Sequence, residues 1–209
     1  MADELDREAF LRAVERVLDR LESSAEELSR LDAAMGDGDM GVTITLGCRA
    51  VRKALPEMGQ QDLGTVVAKC AMAFNGAAPS TLGALFAVGG MRAGKEARGT
   101  TSVDLPLLTR MVRAAEAGIQ ERGGAKRGDK TLLDALGPAA DALQDAEVKG
   151  ATLREAVRSA AEAARAGAKA TTEMAAKSGR GSWISERTVG HQDPGATAVT
   201  IMWEALAAP

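Results

Sequence analysis

Small residues are the feature that most constrains what this 209-residue chain can fold into. Alanine is abundant, glycine occurs 23 times, tyrosine is missing and aromatic residues make up only 2% of the sequence. Strands are usually rich in β-branched and aromatic residues, so this composition favours closely packed helices. The length is sufficient for one well-buried core. We therefore expect an all-α fold in which residues 1–209 form a single domain.

Apolar residues recur at helical spacing along most of the chain. In the first segment Phe10, Val14 and Leu18 share one helical face, and a capping-box pattern from Ser24 to Glu27 predicts a pause and a restart. No segment alternates convincingly as a strand would. The eight predicted helices cover about residues 4–31, 42–55, 62–74, 80–96, 104–122, 130–147, 152–177 and 194–207.

Residues that stabilise helix N-termini mark several of these predicted boundaries. Asp62 and Asp129 are the expected N-caps of the third and sixth helices. Asp193, followed by proline at the favoured first helical position, marks the start of the last helix. Thr152 and Glu155 form a second capping-box pattern, which predicts the start of the seventh helix.

The connections between the helices divide into two kinds. Short connections favour antiparallel neighbours, so in a chain that runs up and down eight times every odd-numbered connection lies at the same end. The odd-numbered connections are also the irregular, polar and glycine-rich ones. Because binding sites are commonly built from loops on a rigid scaffold, we predict a functional rim at that end. It consists of the connections 31–41, 75–81, 123–129 and 178–193.

The first of these connections is acidic and places Asp32, Asp37 and Asp39 within eight residues, separated by glycines. Like charges this close repel one another, and a hard cation such as Mg²⁺ or Ca²⁺ is the natural counterweight. An EF-hand does not fit, because position six counted from Asp37 is Val42 instead of glycine and position twelve is Cys48 instead of glutamate. Capping of the second helix by Asp37 or Asp39 explains one aspartate only. The sequence therefore predicts a metal site.

Two further connections are suited to phosphate, although ordinary explanations fit them as well. The stretch Asn75–Thr81 supplies small and hydroxyl residues at a helix N-terminus, where free N–H groups and the helix dipole attract phosphate. An ordinary turn capped by serine or threonine is the alternative. The basic stretch Gly123–Thr131 is suited equally to covering a nucleotide and to lying in solvent.

The last connection contains Arg180, whose planar guanidinium is suited to a phosphate, and His191, which is the one histidine of the sequence. We interpret His191 as structural. There are too few cysteines and histidines for a zinc site, and no nucleophile–base pair indicates acyl transfer or hydrolysis. A carboxylate-held metal that faces helix N-termini and an arginine suits phosphoryl transfer. The sequence contains neither a Walker A motif nor the glycine-rich loop of protein kinases.

Charge and hydropathy argue against several classes of partner. The net charge of -3, without a basic stripe, argues against nucleic acid. The uncharged run from Cys70 to Met91 is interrupted by polar residues and is largely alanine and glycine, so we interpret it as two buried helices and expect no membrane association. The N-terminus is acidic and has no apolar signal core. We interpret Cys48 and Cys70 as buried free thiols and expect a cytoplasmic location.

Three groups of motifs together resemble the nucleotide-binding L subunit of dihydroxyacetone kinase, which is also the C-terminal domain of single-chain dihydroxyacetone kinases. The resemblance covers nearly the whole chain, and the combination is much more specific than any single motif. The motifs are Leu31-Asp32 with Gly36-Asp37-Gly38-Asp39-x-Gly41, Gly128-Asp129-Lys130-Thr131 with Asp134, and Gly179-Arg180-x-Ser182 through Glu186-Arg187-x-x-Gly190-His191-Gln192-Asp193-Pro194-Gly195-Ala196.

The resemblance implies a barrel of eight antiparallel helices with ADP or ATP bound at one end. It implies that Asp32, Asp37 and Asp39 hold two Mg²⁺ ions that bridge the phosphates, and that Arg180 is a catalytic residue as well as a nucleotide contact. The other implied nucleotide contacts are Met40, Gly41, Val42, Thr43, Ala77, Ala78, Ser80, Thr81, Gly123, Leu132, Asp193, Pro194 and Gly195.

A partner is implied as well. In that family the acceptor is dihydroxyacetone or a related short-chain ketose, which is bound by a separate K subunit or domain, so the resemblance implies that this chain needs such a partner. Either ATP exchanges as an ordinary substrate, or the nucleotide stays bound and is recharged by a phosphotransferase-system protein.

Three departures from the family pattern fall inside this site. Met40 stands where the family usually has histidine, and Thr43 where it usually has asparagine. The stretch from Asn75 replaces Gly-Gly-Ala-Ser-Gly-Pro, so that Ser80 or Thr81 takes the place of the phosphate-contacting serine. Two other functions remain as alternatives. One is a regulatory protein that senses nucleotide state and binds a transcription factor or kinase, and the other is a carboxylate-phosphorylating relative such as the nucleotide domain of fatty-acid kinase.

Overall fold

The computed structural model describes residues 4–208, apart from the side chain of Arg180, and confirms the predicted all-α class. Within the described part of the chain there are nine α-helices. They are α1 (Arg7–Ser23), α2 (Ala25–Ala33), α3 (Met40–Ala54), α4 (Leu63–Ala77), α5 (Thr81–Glu96), α6 (Leu105–Gly123), α7 (Leu133–Val148), α8 (Leu153–Ala170) and α9 (Pro194–Ala207). Short 3₁₀ helices cover Leu55–Met58, Thr171–Glu173 and Arg180–Thr188.

The helices pack in a closed order. From α3 to α9 each helix contacts the next one in the sequence, and α1 contacts both α9 and α3. Close contacts fix the direction of neighbours: Gly64 near the start of α4 meets Gly94 near the end of α5, and Asp134 near the start of α7 meets Gly167 near the end of α8. These pairs are antiparallel. In such an up-and-down order the N-termini of α3, α5, α7 and α9 lie at one end, with the four irregular connections.

The core is built from leucines and from small residues. Leu28, Leu63 and Leu143 are fully buried, and so is Ile44 on α3. The inner face of α8 consists of the buried alanines Ala156, Ala160, Ala161, Ala164 and Ala168. An alanine face lets neighbouring backbones approach closely, which is how a chain with few aromatic residues can pack its core densely.

The expectation that the chain contains no strand was wrong. Residues Glu4–Asp6 form the strand β1, which pairs antiparallel with β2 at Ser102–Asp104, with Leu5 opposite Val103. Each strand has three residues. A strand this short contains too few alternations to produce a recognisable two-residue period.

The predicted pause in the first helix is confirmed, but its cause was predicted wrongly. The chain breaks at Ser24 between α1 and α2, yet the Ser24 side chain makes no capping hydrogen bond. The second capping box is formed as predicted, with reciprocal bonds between Thr152 and Glu155 at the start of α8. Asp62 and Asp193 also cap their helices, with side chains that accept from the N–H groups of Thr65 and Ala196.

Two helix boundaries differ from the prediction because side chains form other bonds. Helix α7 begins at Leu133, and Asp129, which was predicted as its N-cap, instead accepts from the N–H of Lys126 at 2.9 Å. Helix α8 ends at Ala170, well before residue 177. There the hydroxyl of Thr171 donates to the carbonyl of Ala168, and the chain continues as a 3₁₀ turn.

Both cysteines are free, as predicted, although only Cys48 is buried and Cys70 is half-buried. Burial raises the pKa of Cys48 to about 12 and the pKa of Cys70 to about 11, so both thiols stay protonated at neutral pH. None of the helices in residues 4–208 has the length and the apolar character needed to cross a membrane.

Two glycines of α4 test whether close backbone contact between neighbouring helices stabilises the fold. A Cβ at Gly64 would overlap the carbonyl oxygen of Gly94 and lie 2.6 Å from the carbonyl carbon of Ala97, whereas a Cβ at Gly76 would meet nothing. We expect Gly64→Ala to lower the free energy of unfolding by about 2–3 kcal/mol through overpacking. We expect Gly76→Ala to raise it by up to about 1 kcal/mol through helix propensity. Urea unfolding followed by circular dichroism measures both, and equal effects of the two substitutions would contradict the close contact.

Candidate active site

The three aspartates of the acidic loop converge where α2 ends and α3 begins. One carboxylate oxygen from each of Asp32, Asp37 and Asp39 lies within 4.8 Å of the others. Asp32 is half-buried, and the other two are exposed. Magnesium binds oxygen ligands at about 2.1 Å, which places neighbouring ligands about 3–4 Å apart, so small side-chain rotations are enough to close the cluster around an ion.

The chemistry of this cluster fits a hard cation. All of its donors are carboxylate oxygens, which suit Mg²⁺, Ca²⁺ or Mn²⁺ and are poorly matched to soft metals. Among the residues that the structure describes, this is the one place where three acidic, cysteine or histidine side chains converge so closely. A divalent ion would neutralise charges that otherwise repel one another.

Hydrogen bonds from the backbone shape the acidic loop around Asp32. The carbonyl of Asp32 accepts from the N–H groups of Met35 at 2.9 Å and Gly36 at 2.6 Å. Its carboxylate accepts from the N–H of Met40 at 3.3 Å, so Asp32 bonds to the first residue of α3 although it lies eight residues earlier in the sequence. Asp39 occupies the N-cap position, but its side chain makes no capping bond. The alternative in which Asp39 serves only as a cap is therefore wrong.

Glycine is required at Gly38 and Gly41 of this loop for different reasons. Gly38 has a φ of 75°, in the left-handed region that favours glycine. Gly41 has ordinary backbone angles but no room, because a Cβ there would lie 2.6 Å from the hydroxyl of Ser29 and overlap the carbonyl of Ala25. The N–H of Gly41 donates to the same Ser29 hydroxyl at 3.1 Å. Ser29 thus joins α2 to α3, and the sequence contained no signal for this role.

The connection between α4 and α5 has the geometry of a capped turn. Ser80 is the N-cap of α5, and its hydroxyl accepts from the N–H of Gly83 at 3.0 Å. Ala77 and Thr81 are exposed, and Ala78 is buried. This geometry fits an ordinary capped turn, but it also presents the N-terminus of a sixteen-residue helix at the rim, so the phosphate site stays a prediction.

The basic connection before α7 contains one cation that is exposed and paired, Arg127, and one that is buried, Lys130. Arg127 forms ion pairs with Glu116 of α6 and Asp141 of α7, each at 2.6 Å. These carboxylates hold the pKa of the Arg127 guanidinium above its usual value, with the Asp141 hydrogen bond as the main cause. Lys130 is buried and bonds to backbone carbonyls. The interpretation as a solvated loop is therefore wrong for Lys130 but fits the exposed Arg127, and the interpretation as a nucleotide cover stays a prediction.

The last connection brings several predicted nucleotide contacts together. Asp193 caps α9 by accepting from the N–H of Ala196 at 2.7 Å, and its own N–H donates to the Thr171 hydroxyl at 2.8 Å. Burial raises the pKa of Asp193 to about 7, and the hydrogen bond from Ala196 acts in the opposite direction. A Cβ at Gly195 would lie 3.3 Å from the Cβ of Leu132, so the N-termini of α7 and α9 are adjacent.

The same connection also reaches the acidic loop. A Cβ at Gly181 would lie 3.1 Å from the Cβ of Ala176 and 3.9 Å from the carbonyl oxygen of Met35. The 3₁₀ helix that begins at Arg180 therefore rests beside the aspartate cluster, although the Arg180 side chain lies outside the described residues. The placement of Ala77, Ala78 and Gly123 at this end follows from the order of the helices alone.

One known protein family matches most of this chain. Residues 34–208 match the model described as the DAK2 domain. The chain belongs to the DAK2 domain family. The match includes α3 to α9, Asp37 and Asp39 of the acidic loop, and the complete connection that carries Arg180 and Asp193.

Individual relatives of this DAK2 domain match along almost their whole length. The chain is 32% identical over 203 residues to the "PEP-dependent dihydroxyacetone kinase, ADP-binding subunit DhaL" of Escherichia coli, with 97% of each chain covered. It is 34% identical over 177 residues to the corresponding subunit of dihydroxyacetone kinase 2 of Listeria innocua, covering 84% of this chain and 82% of that one.

A solved structure shows the same fold. The dihydroxyacetone kinase of C. freundii in complex with AMP-PNP and Mg²⁺ matches with a TM-score of 0.72 and 29% identity, covering 93% of this chain. The DAK2 domain spans 32% of that single-chain kinase.

Asp39 gives a test of the metal site that leaves the helices intact. Because Asp39 is exposed and makes no capping bond, we expect Asp39→Asn to keep the metal-free melting temperature of the wild type. Saturating Mg²⁺ should stabilise the wild type, by about 2.7 kcal/mol at a hundred times the dissociation constant, and should stabilise the variant much less. Glu57→Gln, at an exposed acid outside the cluster, is the control. Equal stabilisation of all three proteins by Mg²⁺ would rule out this site.

Proposed function

We propose that this chain is the nucleotide-binding subunit of a short-chain ketose kinase of the dihydroxyacetone kinase type. In this proposal it holds ADP or ATP with Mg²⁺ and passes a phosphoryl group to a sugar bound on a separate K subunit. The observation that carries the proposal is the convergence of three aspartates at the rim where α3, α5, α7 and α9 begin. The family membership and the relative named an ADP-binding subunit support it.

The acidic loop has the central role in this proposal. Asp32, Asp37 and Asp39 would hold two Mg²⁺ ions, which when bound neutralise and bridge the phosphate oxygens. The backbone bonds around Asp32 fix where that charge is held before any ligand arrives. Preorganised charge of this kind is a main source of catalysis in phosphoryl transfer, which requires little covalent chemistry from the protein.

Helix N-termini and Arg180 would complete the phosphate site. The first turns of α5 and α9 have Ser80 and Asp193 as their caps, and the remaining N–H groups and the helix dipoles favour an anion. We propose Arg180 as the catalytic residue that stabilises charge on the transferred group. We also propose the remaining nucleotide contacts as the resemblance implies them, at Met40, Gly41, Val42, Thr43, Ala77, Ala78, Thr81, Gly123, Leu132, Pro194 and Gly195.

The sugar would be supplied by the partner. Relatives in which this chain matches about a third of the length include a D-erythrulose kinase of Mycolicibacterium smegmatis, at 34% identity. We infer that the rest of such a chain corresponds to the K subunit, so that the partner determines which ketose is phosphorylated.

We further propose that the nucleotide stays bound and is recharged by a phosphotransferase-system protein, because the matching separate subunits are named PEP-dependent. Very slow release of ADP from the purified chain would agree with this mode, and rapid exchange with ATP would contradict it. Residues 1–209 would act as one nucleotide-binding domain in a reducing cytoplasm, which the two free thiols support.

An activity assay with a partner tests this function. We expect the chain loaded with Mg-ATP, when combined with a K subunit of dihydroxyacetone kinase, to form up to one equivalent of dihydroxyacetone phosphate, and to turn over repeatedly only when a phosphotransferase-system donor recharges the bound ADP. Asp37→Ala should lower the rate by at least about a hundredfold, because it removes a charge that positions the metal. Glu57→Gln should leave the rate unchanged. Firm binding of Mg-ADP without phosphorylation of dihydroxyacetone or erythrulose, with K subunits from several relatives, would contradict the kinase assignment.

A further inference from the structure

Lys130 is the most unusual side chain in the described part of the molecule. It is 2% exposed, and its ammonium group donates to the backbone carbonyls of Thr171 at 2.8 Å, Met174 at 3.0 Å, Thr188 at 2.7 Å and His191 at 2.5 Å. An ammonium group has three N–H donors, so four carbonyls share them. The arrangement resembles the carbonyl cage around a monovalent cation.

The four carbonyls come from both ends of one segment. Thr171 and Met174 precede residues 175–187, and Thr188 and His191 follow them. The ammonium group therefore joins the two ends of the segment that contains Arg180 and the 3₁₀ helix. The N–H of Gly190 also donates to the carbonyl of Thr172, but that bond is neutral and Lys130 provides the charged connection.

Placing Lys130 there is unfavourable for its backbone conformation and for the solvation of its charge. Among the described residues it is the one non-glycine residue with a positive φ, at 61°, a conformation that costs of order 1 kcal/mol. Burial of an ammonium group is expensive unless it is fully hydrogen-bonded. Burial lowers the pKa of Lys130, and the nearby charges of Asp193 and Glu173 counteract that shift. Strain and buried charge at one residue are typical of functional sites.

We propose that Lys130 is a positioning residue, which clamps the ends of residues 175–187 and so holds the 3₁₀ helix of Arg180 against the acidic loop. A Cβ at Gly181 would lie 3.9 Å from the carbonyl oxygen of Met35, so the clamped segment lies next to that loop at Gly181. The proposal rests on the proposed nucleotide site for its consequence, because a loosened segment presents Arg180 to the phosphates for only part of the time. Lys130 touches no reacting group and acts through the segment alone.

Glycine is the suitable replacement for testing the clamp. Lys130→Gly removes the ammonium group, accepts the positive φ without strain and leaves a space that n-butylammonium can enter. Lys126→Gly, at an exposed lysine of the same connection, is the matched control. Hydrogen exchange measured by mass spectrometry reports on residues 175–187 directly. Calorimetric titration with Mg-ADP reports on the nucleotide site.

We expect amide exchange in residues 175–187 to become at least about tenfold faster in Lys130→Gly and to approach the unprotected rate, with unchanged helical circular dichroism. If the segment is then ordered for a tenth of the time, the affinity for Mg-ADP falls about tenfold. Added n-butylammonium should restore both values, and 1-butanol at the same concentration should restore neither. Lys126→Gly should behave as the wild type.

Several outcomes would overturn the clamp. The first is an unchanged exchange rate in residues 175–187, and the second is faster exchange with unaltered Mg-ADP affinity. The others are failure of n-butylammonium to restore either value and loss of the helical fold in Lys130→Gly. Failure of the wild-type chain itself to bind Mg-ADP would instead contradict the proposed function. The exchange and rescue results would still decide whether the clamp exists.

Discussion

Close approach of helix backbones is the constraint on which the rest of this structure depends. Gly64 and Gly94 leave no room for a side chain between α4 and α5, and a Cβ at Gly167 would overlap the carbonyl of Asp134 across α7 and α8. Such contacts fix both the distance and the register of neighbouring helices. Because these two helix pairs are held in this way, their ends at the rim have little freedom, and the loops next to them are held in defined places.

The site uses the same constraint and adds charge to it. Gly41 brings α3 so close to α2 that its N–H reaches the Ser29 hydroxyl, and this contact places Asp32 at the N-terminus of α3. Repulsion among the three aspartates then makes the loop complementary to a cation. On the other side of the rim, the ammonium group of Lys130 is buried and donates to backbone carbonyls inside the protein. Lys130 is therefore not available to a phosphate at the proposed site, where we expect positive charge from bound metal, helix N-termini and Arg180.

The sequence predicted helices well where a long apolar period exists and predicted boundaries poorly where a side chain has a distant partner. Asp129 had the position of an N-cap, but it bonds to Lys126, and the next residue turns with a positive φ. Lys130 looked like a loop cation, and its partners are 41 to 61 residues away in the sequence. No local pattern records such a partner. The three aspartates were predictable because their charges are crowded within the sequence itself.

The motif resemblance added the nucleotide and the K-subunit partner, which composition and spacing did not indicate. Helix count and loop composition placed four connections at one end, and the motifs in those connections indicated the family whose model matches residues 34–208. The proximity of Gly181 to Met35 could not be predicted from spacing or from the motifs, since it depends on how the 3₁₀ helix folds back. The same holds for Ser29, whose hydroxyl joins two helices without any motif.

The central claim is that the aspartate cluster binds nucleotide through a divalent ion. Calorimetric titration of the chain with ADP, once in the presence of Mg²⁺ and once in the presence of EDTA, tests this most directly. Because binding of the two ligands is linked, the account predicts that ADP binds at least about tenfold more tightly with Mg²⁺, and that Asp37→Ala removes this difference. Equal affinity for ADP with Mg²⁺ and with EDTA would contradict it.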